Sequence, residues 1–69
     1  MKFEVYGRFT LEVLREQGQW QVYRLSPGKR VHEPGIVLPA ALQESEIEQA
    51  IDDLFHELSR PGQQVVRVS

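Results

Sequence analysis

Over residues 2–25, "KFEVYGRFTLEVLREQGQWQVYRL", apolar and polar positions alternate with a period near two, and Gly7 and Gly18 interrupt the pattern. Such alternation marks half-buried strands, and glycine breaks between the runs are hairpin signals. Three strands are expected. A two-residue turn at Gln17-Gly18 pairs Glu16 with Gln19, Arg15 with Trp20, Val13 with Val22 and Leu11 with Arg24, which gathers Phe9, Leu11, Val13, Trp20 and Val22 on one face. In the first hairpin, a two-residue turn at Gly7-Arg8 would set Phe3 opposite Glu12 and Val5 opposite Thr10, splitting the apolar set. A three-residue loop Tyr6-Gly7-Arg8 instead pairs Val5 with Phe9 and Phe3 with Leu11. A slip of one residue moves every side chain to the other face, so the second register is expected.

The period then changes. "SPGKRVHEPG", residues 26–35, holds two prolines and two glycines and is expected to leave regular structure. "IVLP", residues 36–39, reads either as a fourth short edge strand or as a segment covering the core. Ser45 followed by Glu48 forms a capping-box pattern, with Glu44, Glu46 and Glu48 at the positive end of a helix dipole. Ile47, Ala50, Ile51, Leu54, Phe55 and Leu58 make one apolar stripe, and Ser59-Arg60-Pro61-Gly62 ends the helix. The last segment, "QQVVRVS", reads as a short strand at a sheet edge, Val66 and Val68 on one face and Val65 and Arg67 on the other. The fold class is α+β: a small antiparallel sheet of three to five strands with one amphipathic helix on one face, in the order β-β-β-(β)-α-β.

Composition narrows the class. Sixty-nine residues make one domain, residues 1–69, and a chain this short hides only about 60% of its unfolded surface. Its core is therefore small, and a partner subunit is one way such a chain gains stability. With no cysteine there are no disulfides and no thiolate metal sites, which fits a reducing compartment. An apolar share of 41% against 26% charged is too hydrophobic for a disordered chain. No run approaches the roughly 18 apolar residues of a membrane span, and the first residues lack the apolar run of a signal peptide. A soluble cytoplasmic protein with no membrane association is expected. Charge divides along the chain: residues 1–39 carry six basic side chains against four acids, and residues 40–69 carry six acids against Arg60 and Arg67. Two faces of opposite sign are expected.

Candidate chemistry is sparse. "DDLFHELSRPG", residues 52–62, sets His56 among Asp52, Asp53 and Glu57. At about 100° per residue, His56 falls opposite the apolar stripe with Gln49, Asp53 and Arg60, on the wet side of the helix. A general base needs a cleft that shifts its pKa and holds substrate, which a helix crest lacks. Asp52 and His56, four apart, read as a surface ion pair. Asp52, Asp53, His56, Glu57 and Arg60 together are a candidate protein-interaction surface for a basic partner. A second candidate is an anion or nucleic-acid contact from Arg8, Arg15, Arg24, Lys29 and Arg30, the last two beside the Pro27-Gly28 turn. Against that reading, Arg15 opposite Trp20 is expected to lie over the ring of a core tryptophan. His32 and Glu33 have no third ligand near them in sequence, so neither metal nor cofactor is expected. There is no cysteine nucleophile, no serine in a G-x-S-x-G setting and no glycine-rich phosphate loop, so no catalytic residue is assigned and no enzyme is expected.

"YGRFTLEVLREQGQWQVYRL", "GIVLP" and "DDLFHELSRPG" together resemble a family of short bacterial proteins of unknown function. That resemblance implies a bacterial cytoplasmic origin and no site residues. A second similarity, of topology, is to HicB-type antitoxin domains, which run three strands, an acidic helix and a strand. Their proline-aspartate-leucine-proline-glycine-like segment before the helix is echoed by "EPGIVLPAAL". Three readings stand: a protein-interaction or regulatory module with a protein partner or a second copy of itself; a nucleic-acid accessory or antitoxin-like protein using the basic residues; and a small-molecule or metal site around His32 and His56.

Overall fold

The chain forms five strands: β1 (Lys2–Val5), β2 (Phe9–Glu16), β3 (Gln19–Ser26), β4 (Lys29–His32) and β5 (Val65–Arg67). The computed structural model describes residues 1–58 and 61–69. The five strands form one antiparallel sheet in the order β4-β3-β2-β1-β5, so the last strand closes beside the first. One helix, α1 (Ile47–Phe55), lies between 3-10 turns at Glu44–Glu46 and His56–Leu58.

Both expected registers are present. Val5 pairs with Phe9 and Phe3 with Leu11, while Glu16 pairs with Gln19 and Val13 with Val22. Each turn places two successive residues in the left-handed region, Tyr6 and Gly7 at φ 54 and 69, Gln17 and Gly18 at φ 52 and 75. This is the primed turn geometry, whose twist matches that of paired strands. In the first turn the Arg8 amide donates to the Val5 carbonyl at 2.9 Å.

The fourth strand is displaced from its expected place. Residues 26–35 leave regular structure only in part: residues 33–35 are irregular, but Pro27-Gly28, with Gly28 at φ 77, closes a third hairpin and pairs Lys29–His32 with β3. Proline presets one corner of such a turn and glycine takes the left-handed one. "KRVH" has one apolar residue, so it shows no alternation to read. Residues 36–39 form no strand; Leu38 is buried and Ile36 half-buried, so the segment covers the core.

The core lies between α1 and one sheet face. Phe3, Val5, Leu11, Val13, Val22 and Val65 meet Ile47 and Ile51 there, each with at most 5% of its surface exposed. Full burial of an aliphatic or phenylalanine side chain is worth about 1.5–3 kcal/mol. Two details of the helix differ from expectation. The capping box runs from Gln43 to Glu46, with the Glu46 carboxylate accepting from the Gln43 amide at 2.8 Å, so the chain turns in 3-10 form before Ile47. Leu54 does not join the buried stripe: it is 53% exposed. Phe55 instead packs edge-on against Phe9, ring centroids 5.2 Å apart.

Candidate functional site

All six acids of the second half lie on α1 and its flanking turns, and residues 43–58 contain no lysine or arginine. The helix layer is therefore negative. Glu48, Asp53, His56 and Glu57 are exposed, and Asp53 accepts a hydrogen bond from Gln49 at 2.9 Å. Asp52 differs from its neighbours. Half-buried, it accepts at 2.5 Å from the hydroxyl of Tyr6, which belongs to the first turn and is 2% exposed. Burial first, and then that hydrogen bond to Asp52, push the Tyr6 phenol up to about 12. Asp52 thus fastens the helix to the β1–β2 turn. Arg60, the fifth residue of the expected surface, lies outside the described residues.

The basic residues do not form one patch. Arg15 and Arg24 are on the helix-covered face, their guanidinium carbons 4.7 Å from the Trp20 centroid and 4.3 Å from the Phe9 centroid. The stacking expected of Arg15 over Trp20 is present, and Arg15 also donates to the Ala40 carbonyl at 2.8 Å. Arg24 Nε, buried without a hydrogen bond, has the Glu33 carboxylate 3.2 Å away for charge compensation. Arg30 lies on the opposite, uncovered face, paired with Glu12 at 3.1 Å. Arg8 and Lys29 are exposed at turn ends.

The uncovered face has a cluster of its own. Tyr23 donates to Glu16 at 2.8 Å, stacks under Arg30 at 4.4 Å and meets the His32 ring at 5.2 Å; His32 Nε2 is 2.9 Å from Gln21. The hydrogen bond to Glu16, followed by burial, raises the Tyr23 phenol. The cluster borders a shallow basin of about 420 Å³. His32 and Glu33 engage Gln21 and Arg24 on opposite faces of the sheet. His56, on the helix side, is likewise separated from His32 by the sheet. Among the described residues, no three His, Cys, Asp or Glu side chains group as a metal would need.

A larger cleft, about 480 Å³, lies between α1 and the start of β5. Ser45, Glu48, Gln49 and Asp52 line one wall, and Gln63, Gln64 and Val65 the other. It offers two carboxylates, three side-chain amides that both donate and accept, and one hydroxyl; the carboxylates suit a cation or N–H groups. Little in the residue order marks this cleft, since Tyr6 reads as a turn residue and the glutamines as polar filler. The one signal was an aromatic residue beside a turn glycine.

With this geometry in place, comparison with known families is informative. A family described as "Domain of unknown function (DUF7661)" matches residues 1–69. The chain belongs to that family. No curated protein and no solved structure matches it. Membership in DUF7661 agrees with the expectation of a family of unknown function and adds no substrate or partner. Among the described residues no helix is long and apolar enough to cross a membrane.

Proposed function

We propose that this DUF7661 domain is a non-enzymatic protein-interaction module whose helix layer receives a basic surface of a partner protein. One observation carries this reading: residues 43–58 carry six carboxylates and no lysine or arginine, over a sheet layer that holds seven of the eight lysines and arginines. A surface of one sign steers an oppositely charged partner and excludes like-charged ones. Asp53, His56 and Glu57 form its crest, with Leu54, 53% exposed, beside them as an apolar contact. The reading places the protein in a bacterial cytoplasm, which a cysteine-free chain fits. Nucleic acid is not favoured, since Arg15, Arg24 and Arg30 are engaged by Trp20, Phe9, Glu33 and Glu12. An antitoxin-like role is not adopted either, because a fourth strand stands between β3 and the helix.

The test compares wild type with the double variant Asp53→Lys, Glu57→Lys as bait in native lysate at low and high salt. Wild type is expected to retain a stoichiometric protein that the variant and high salt release. Equal capture by both baits, or co-purifying nucleic acid alone, overturns the reading.

A further inference from the structure

The cleft between α1 and β5 runs beside a free sheet edge. In an antiparallel pair, alternate residues turn their N–H and C=O groups toward the partner strand and the others turn theirs away. The Val68 amide donates to the Lys2 carbonyl at 2.8 Å, and the Gln64 carbonyl accepts from the Tyr6 amide at 3.2 Å. With Glu4 opposite Val66, the even-numbered residues 64, 66 and 68 thus face β1. The backbone groups of Val65 and Arg67 face outward, and among the described residues no hydrogen bond reaches them from that side.

The two sheet edges are not equivalent. β4, at the far edge, carries Lys29 and Arg30, the charged side chains that discourage strand pairing. β5 carries one charge, Arg67, and its Val66 is 41% exposed, as is Val68 just after it at 50%. An open strand edge beside a cleft is where an extended peptide can add to a sheet: main-chain hydrogen bonds hold it, and alternate side chains read the pockets.

From these observations we infer that the edge of β5 binds an extended peptide of a partner protein as a sixth strand, with a basic side chain seated in the α1–β5 cleft. This rests on the interaction-module reading and specifies its mode. Period two dictates the peptide's chemistry. Side chains opposite Val66 and Val68 lie on the uncovered sheet face, where an apolar residue buries both valines. The side chain opposite Val65 points to the helix side, toward Glu48 and Asp52. The cation on that side, Arg67, is partly neutralised by Glu44 at 3.8 Å. The peptide it fits alternates basic and apolar residues.

The probe is a capped seven-residue peptide alternating arginine with valine, titrated into isotopically labelled full-length protein with backbone amides observed by NMR. A valine–glutamate peptide of the same length is the control. Binding of the arginine peptide alone is expected, centred on the Val65 and Arg67 amides and slowing their hydrogen exchange. Arg67→Pro removes one outward N–H without touching a bond to β1, and it also makes the cleft more negative. It is nevertheless expected to weaken binding by about tenfold, the scale of lost edge hydrogen bonds, while Arg67→Thr and the unchanged spectrum of the core show that the fold survives. Glu48→Gln is expected to weaken binding in a salt-dependent way. No binding, equal binding of the acidic peptide, shifts centred on β4, or an Arg67→Pro variant that binds as tightly as Arg67→Thr each overturns strand addition. So does a concentration-dependent oligomer blocked by Arg67→Pro, which makes a second copy the occupant. The module reading is decided separately, by whether the Asp53, Glu57 variant loses its captured partner.

Discussion

Tyr6 combines three features seldom found in one residue: a left-handed backbone at φ 54, a side chain 2% exposed and a hydroxyl bonded to Asp52. A bulky residue in that region is strained, by roughly 1–2 kcal/mol. Burial and the carboxylate bond offset the strain. Because the folded state holds the phenol at about 12 against 10.0 for a free tyrosine, the contribution is complete below pH 10 and is lost as pH rises from 10 to about 12. Unfolding free energies measured by denaturant titration across that range are expected to fall with pH. Tyr6→Phe is expected to flatten that decline while lowering stability at neutral pH, since Asp52 loses its donor. An unchanged alkaline profile in Tyr6→Phe would assign the decline to other groups, Tyr23 first among them.

At the scale of elements, the helix separates two leucine-sized positions that look alike in sequence. Ile51 is fully buried and Leu54 is half in solvent, so Ile51→Ala is expected to cost about 2–5 kcal/mol and Leu54→Ser to stay within about 0.5 kcal/mol. Denaturant midpoints for the pair measure this directly; similar losses at both positions would place Leu54 in the core. Glu57 sits in the 3-10 turn that follows α1, at the negative end of the helix dipole. Glu57→Lys is expected to stabilise the fold by about 0.3–1 kcal/mol, so a loss of partner binding in that variant would not arise from unfolding. A lower melting temperature for Glu57→Lys would count against the dipole argument. The same scale explains the displaced fourth strand: its pairing comes from the Pro27-Gly28 turn and the neighbouring edge of β3, not from a pattern within its own residues.

For the whole molecule the governing quantity is the division of charge between layers. Net charge is only −2, yet the helix layer holds six of the ten acids and the sheet layer seven of the eight lysines and arginines. Partner capture is therefore expected to weaken steadily as salt rises, since a Debye length of about 8 Å at physiological ionic strength already limits exposed charges to near neighbours. Capture insensitive to salt would shift the weight of recognition from the helix layer to the apolar side chains Val66 and Val68.

Much of this was legible along the chain. The two primed hairpins, their registers, the amphipathic helix, the edge strand at the end and the sign of each layer follow from residue order, because alternation, glycine placement and charge act locally. The position of the fourth strand, the shifted capping box, the exposure of Leu54, the bond from Tyr6 to Asp52 and the cleft beside β5 do not. Each depends on which surface a residue meets across the fold: Tyr6 and Asp52 lie 46 positions apart, and Val65 pairs with Val5 from the other end of the chain. Local chemistry set the elements and their charges; only closing β5 against β1 beneath the helix produced the edge and the carboxylate-bearing wall on which the proposed peptide site rests.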